Sequence, residues 1–479
     1  MPSASCATTA VLQALASAGE PSQLLPAREQ MAFTLGFHII IVPFGVAFTF
    51  LMLLANHRGL RRGDKQAMLL ARRWSKVAAV LFAVGAVSGT VLTFELGILW
   101  PGLMGRYGAA FGFPFAIEGI FFFLEAIFMS FYIYGWDRLS PWAHFWTGVP
   151  VVISSLGGAS AVVAANAWMN QPGGITMRAG RIVDVSPAKV FFNGAFWFET
   201  IHMLLAAYIV AGFVVAGVYA AGMLKGRQDA YHRTGFLIGF VVAAVTVPVQ
   251  IFVGDLVARQ VFHSEPAKFA AIELLPDSGD HVPETLGGVL IDGKVRYGLP
   301  IPDMASLLAG FRPSTHIDGL DAIPAPVRPS DAGVSIVHLA FDIMVGASMA
   351  LLALSVWFAW LWWRHRRVPT NVWFLRCAAL SGVVALVCLE SGWVVTEVGR
   401  QPWTVVGLLL THDAVTTHGN LWPFFGATVI IYATVGTGAL LVLRALRRRW
   451  AAQDDDDVQV PYGPEVPAVS AASPESRTP

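Results

Sequence analysis

Two glutamates seven residues apart in an apolar run, Glu390 and Glu397 of ESGWVVTEVGRQPW (390–403), stand out as residues able to do chemistry. An ionised side chain at the centre of a bilayer costs at least about 2.5–3.5 kcal/mol, so an intramembrane carboxylate calls for a partner, a water-filled cavity or a metal. Seven residues at about 100° each place both on one helix face. Glu397 then runs into Gly399, Arg400, Gln401 and Pro402: a small residue, a fixed cation and a helix stop. Other functional groups are stranded in apolar runs, namely His38, His202, Met344 and a second acidic pair, Glu118 and Glu125. Carboxylates in a low dielectric hold and pass protons. No HxH, HExxH or CxxC pattern is present, which disfavours zinc. Histidine, methionine and carboxylate donors on separate helices of an apolar bundle suit haem.

The elements that position these groups follow from composition. The 479 residues are 55% hydrophobic and 13% charged, with 32 Phe and 16 Trp, against about 25% charged in soluble domains. The chain reads as an all-α polytopic membrane protein. A net charge of +1 leaves no footprint for nucleic acid. Cys6, Cys377 and Cys388 are too few and scattered for a disulfide frame or a Cys-based metal site. Nine segments are long enough to cross about 30 Å of hydrocarbon: 32–55, 77–99, 111–134, 145–168, 195–222, 235–256, 334–362, 373–398 and 419–443. Around them lie an outer lead-in (1–31), a long outer connection between helices 6 and 7 (257–333), rich in Pro and Gly and with no evident core, and a basic then disordered cytoplasmic tail (444–479). The two membrane blocks are thus 32–256 and 334–443.

Lys and Arg concentrate after odd-numbered segments, as in Arg58, Arg61, Arg62 and Lys65 after the first and Arg444, Arg447, Arg448 and Arg449 after the ninth. The N-terminus is therefore expected outside and the C-terminus inside. In that orientation His38, Glu118, His202 and Met344 lie about 9–15 Å below the outer face at 1.5 Å per residue, and Glu397 reaches the same side from the opposite direction. Five potential ligands from five helices share one layer. A secondary transporter, with the acids as its proton relay, would want inverted repeats and a midplane site instead.

GWVVTEVGRQPW (392–403), PFAIEGIFFFLEAIF (114–128), FDIMVG (341–346), HIIIVPF (38–44) and AKFAAIE (267–273) resemble subunit I of cytochrome bd-type quinol oxidases. The likeness spans all nine segments in order, and GRQPW is its most specific block. It implies three haems near the outer face: a low-spin b haem, a high-spin b haem, and a haem d or further haem b where oxygen is reduced. By resemblance His202 and Met344 are the axial pair of the low-spin haem, and His38 and Glu397 are ligands of the two high-spin haems. Arg400 faces a propionate, and Glu118 and Glu125 form the acidic pair near the oxygen site. Lys268 and Glu273 serve quinol oxidation in the outer loop. The resemblance further implies quinol and O2 as substrates, a subunit II, a small single-helix subunit in some members, and the bacterial cytoplasmic membrane. A haem b carrier that reduces quinone without touching oxygen is the nearest alternative.

Three departures accompany the likeness. Asp342 stands where several members carry Arg, as in the cyanide-insensitive branch; Glu118 and Glu125 are seven apart where some members have eight; and the connection after Glu273 is short. Among the remaining histidines, His338, six before Met344, is expected near a propionate.

Overall fold

A computed structural model describes residues 21–451. Among the described residues, nine helices are long and apolar enough to span a membrane: α1 Leu24–Arg62, α2 Lys65–Leu99, α3 Pro101–Tyr134, α4 Pro141–Asn170, α5 Phe196–Leu224, α6 Ala230–Ser264, α7 Asp331–His365, α8 Val372–Gly399 and α9 Leu421–Ala451. All nine expected segments are present, and each is longer than its apolar run. Part of the surplus lies in capped polar ends. Gly63, at φ 63°, closes α1, and the Asp64 side chain accepts from the backbone N–H groups of Gln66 and Ala67 to open α2. Asn371 caps α8 and Ser330 caps α7 in the same way, while Pro101 and Pro141 occupy first turns where no N–H is needed. Within α1, a π-helical turn, Phe44–Phe48, follows Pro43.

Three boundaries are corrected. Residues 24–31, expected in the lead-in, are the first turns of α1; α6 continues past 256 to Ser264; and the basic stretch after 443 is helical through Ala451. The remainder of the lead-in (1–20) and of the tail (452–479) lies outside the described residues.

Helices α5–α8 form the centre. A ring cluster from all four holds one half of their length together, with Phe240 of α6 4.7 Å from Phe358 of α7 and 5.6 Å from Phe374 of α8, and Phe213 of α5 5.4 Å from Phe240. Helices α3 and α4 pack on each other at one side, and α1 and α2 bridge them to the centre. At the periphery α9 buries Leu421, Thr428 and Tyr432 alone among its 31 residues.

The long connection was expected to lack a core. It has one. Phe269, Leu275, Leu290 and Ile317 pack together and against Val334 and Val337 of α7 and Val395 of α8. A short helix, Pro266–Ile272, leads into two small antiparallel ladders, 284–286 with 299–301 and 289–291 with 294–296. The second ladder turns at Asp292 and Gly293, both at positive φ (51° and 68°), the Asp-Gly pairing a tight hairpin demands. Arg259 of α6 pins the far side: it pairs with Asp255 at 2.9 Å, donates to the Ala309 carbonyl at 3.2 Å and lies 3.6 Å from the Phe311 ring centroid.

Candidate functional site

At the C-terminal end of α8, Glu397 is held from two sides. Asn166 of α4 donates to its Oε1 at 2.6 Å, and Arg400 donates to its Oε2 at 2.5 Å. Arg400 is buried and reaches on to Asn170, yet its Nε–H has no protein partner among the described residues. A buried guanidinium N–H without an acceptor is costly. It therefore suits an anionic arm brought by a bound group. Glu390, two turns away, is not part of this cluster: its Oε1 is buried without a partner among the described residues, and its Oε2 faces Gly36 of α1.

His38 of α1 turns its Nδ1 to Ser88 Oγ at 2.8 Å. Ser88 Oγ itself donates to the Gly85 carbonyl at 3.1 Å, so the imidazole is the donor in this pair and its Nε2 keeps the lone pair a metal needs. His202 of α5 lies beside Gln250 of α6, 3.2 Å from Nδ1. Met344 of α7 faces α8. Each of these three donors looks onto a glycine. A Cβ on Gly89 would stand 3.3 Å from His38 Cε1, one on Gly254 3.4 Å from His202 Cε1, and one on Gly392 3.1 Å from Met344 Sδ. Nitrogen, sulfur and carboxylate donors of the types that bind haem, with an Arg400 N–H unpartnered among the described residues and suited to an acidic arm, fit haem by their chemistry.

Glu118 and Glu125 lie half-buried on α3, with Glu125 in reach of Ser155 on α4. Ser155 is eleven residues before Asn166 on the same helix, about 16 Å along its axis. Glu125 therefore lies well along α4 from the Asn166 that holds Glu397.

The structure does not set Lys268 and Glu273 side by side. Lys268 is buried, pairs with Glu265 and donates to Asn170 Oδ1 at 3.2 Å. Glu273 faces Glu284 and Asp342 instead, with its Oε2 unpartnered. Burial first, then these two carboxylates, pushes the Glu273 carboxyl well above the usual carboxylate range. His338 closes this pocket, its Nδ1 2.7 Å from the Ile272 carbonyl and its Nε2 2.9 Å from that of Gly287, while Asp342 accepts from the Gly287 N–H at 2.6 Å. The expected place of His338 beside a propionate is taken by these loop carbonyls.

Several polar residues of the site escaped the sequence reading. Asn166, Asn170 and Ser88 are single neutral residues, which carry no periodic signal. Glu199, which accepts from Asn170 at 2.7 Å, lies one turn before His202 and was findable by that spacing. Glu95 of α2 is fully buried and accepts from Gln30 at 2.7 Å and Thr34 at 3.1 Å; a lone carboxylate near the C-terminal end of an apolar segment was the signal.

Residues 26–450 match the family model for cytochrome bd terminal oxidase subunit I. A Bacillus subtilis (strain 168) relative provisionally named cytochrome bd menaquinol oxidase subunit I is 32% identical over 442 residues, covering 90% of this chain and 98% of that one. Cytochrome bd ubiquinol oxidase subunit 1 of the same organism is 29% identical over 454 residues, 92% of this chain and 96% of the relative. Among solved structures, the bd oxidase from Geobacillus thermodenitrificans matches with a TM-score of 0.84 at 31% identity, covering 90% of this chain and 100% of the solved one.

Proposed function

Because the chain belongs to the cytochrome bd terminal oxidase subunit I family, we propose that it oxidises quinol at the outer face of a bacterial cytoplasmic membrane and passes the electrons to oxygen, with protons for water drawn from inside. It is an integral membrane, haem-dependent quinol:oxygen oxidoreductase that works with a subunit II. Bound haem supplies one-electron transfer and the oxygen-reducing centre. His202 and Met344 would hold a low-spin b haem, which would supply one-electron transfer. His38 and Glu397 would each hold one of two high-spin haems, one of b type and the other haem d or a further haem b. Arg400 receives a propionate on its free Nε–H. Glu118 and Glu125 hold protons on the inward route. A small single-helix subunit completes the assembly in this reading.

The observation that carries the reading is Glu397, locked by Asn166 and Arg400 beside a guanidinium N–H that no atom of the described residues satisfies. Reduced-minus-oxidised spectra of membranes holding the oxidase, with and without carbon monoxide, test it: one low-spin b signal and a carbon monoxide-sensitive high-spin component are expected. Absence of any carbon monoxide response would leave an electron carrier that does not reduce oxygen.

In the outer loop Glu273 accepts a quinol proton, and Lys268 serves the same half-reaction from inside the wall. The raised pKa keeps Glu273 protonated, and so occupied as an acceptor, at low pH; the acceptor becomes free as pH rises through that value. Wild-type quinol oxidation is expected to quicken with rising pH. Glu273→Gln should run about 10²-fold slower and lose that rise while keeping its haems. Haem loss in proportion to activity would make Glu273 a structural residue.

A further inference from the structure

Met344 offers its sulfur from α7 on a side chain with three rotatable bonds, which does not hold one position unaided. Its backbone carbonyl accepts from Ser348 Oγ, one turn on, at 2.8 Å. Serine and threonine back-bonds of this kind recur in these helices, at Ser355 and Thr246 for example, and alone they carry no functional message. Here a second helix joins the same carbonyl. Cys388 of α8 places its Sγ 3.4 Å from the Met344 oxygen and 3.2 Å from Ser348 Oγ. The serine gives its one proton to the carbonyl, so the thiol is the donor from the α8 side, with its S–H shared between two oxygens of α7.

Gly392 meets the other end of the same residue. A Cβ there would stand 3.1 Å from Met344 Sδ. Cys388 and Gly392 are four apart and lie on one face of α8. That face therefore touches Met344 at its backbone and at its sulfur, and both contacts depend on how α7 stands against α8. Between helices surrounded by lipid, small residues and polar contacts decide that approach, because burial from water is not at stake.

We propose that Cys388 is a positioning residue for Met344: its thiol ties α8 to the Met344 carbonyl and the Ser348 hydroxyl, and so keeps the methionine sulfur in place as a ligand. The inference rests on the reading that Met344 and His202 hold the low-spin haem. A thioether ligand raises the midpoint potential because it favours the reduced iron. A sulfur that is less well held therefore lowers it. A tenfold loss of that preference corresponds to about 59 mV for a one-electron couple.

The test uses the complete oxidase with its partner subunit in membranes. Cys388→Ala, which removes the donor, should lower the low-spin midpoint and let carbon monoxide bind a low-spin haem that excludes it in the wild type, while the high-spin absorption is kept. Cys388→Ser, which keeps a donor, should restore most of the wild-type midpoint. Ser348→Ala should shift it in the same direction, and the double change Cys388→Ala with Ser348→Ala should fall short of the sum of the two, as parts of one tie do. A wild-type midpoint with carbon monoxide still excluded in Cys388→Ala would overturn the proposal. So would equal falls in Cys388→Ala and Cys388→Ser, since packing around the sulfur atom, and not its donor, would then be responsible. If Cys388→Ala does not assemble, a wild-type midpoint in Ser348→Ala overturns it equally. Met344→Leu separates the two levels: an unchanged low-spin spectrum there removes the ligand reading and this inference with it, whereas a changed one beside a wild-type Cys388→Ala sinks this inference alone.

Discussion

Glu397→Gln is expected to abolish the absorption of one high-spin haem and oxygen reduction with it, while the haem proposed at His202 and Met344 remains reducible by quinol. Electrons enter and stop. The carboxylate presents two acceptor oxygens to two donors, Asn166 at 2.6 Å and Arg400 at 2.5 Å. Glutamine offers one oxygen, so one of those donors must face an amide N–H. Stranding the Arg400 charge costs about 3–5 kcal/mol when a buried pair is broken from one side. Turnover should fall by more than the roughly 10–100-fold that follows loss of a residue behind a metal ligand. The double change Glu397→Gln with Arg400→Gln separates the two roles. Recovery of high-spin absorption and turnover would show that Glu397 serves only to pair with Arg400.

Met344→Leu keeps volume and apolarity, at a packing cost under about 1.5 kcal/mol, but removes the sulfur. The low-spin haem should lose its six-coordinate spectrum and its midpoint should fall, since a thioether ligand raises it. Gly392→Ala supplies a graded version. The new methyl would meet Met344 Sδ at 3.1 Å, so the sulfur must move by a few tenths of an ångström, with a smaller shift of the same sign. A wild-type low-spin spectrum and midpoint in Met344→Leu would remove Met344 from the site.

What the sequence made legible divides by physical origin. The apolar runs expose all nine helices, because a 30 Å slab of hydrocarbon imposes a length that composition reports directly. Their true ends were hidden, because Asp64, Asn371 and Ser330 extend helices into water by capping, and a hydropathy pattern does not register caps. Stranded acids such as Glu397 are conspicuous in apolar surroundings. Asn166 and Asn170, which hold that acid and its arginine, look like ordinary helix-end polar residues until the fold brings residue 166 against residue 397. The loop misled for a related reason. Its apolar residues, Phe269, Leu275, Leu290 and Ile317, come singly between turns and meet only after the chain closes over α7 and α8.

Helix α9 raises a question of assembly. An apolar helix gains little by exchanging lipid for protein, since the two are equally oily, so contacts of another kind must hold it in place. The inward side of α9 offers Thr428, which accepts from Gln30 at 3.1 Å beside the buried Glu95, and Tyr432, which donates to the Ser88 carbonyl at 3.1 Å. These hydrogen bonds act as a clasp whose strength does not depend on water. A chain whose clasp is undone would still insert nine times, but its last helix would drift sideways in the plane of the bilayer, and the wall behind His38 would stand open to lipid.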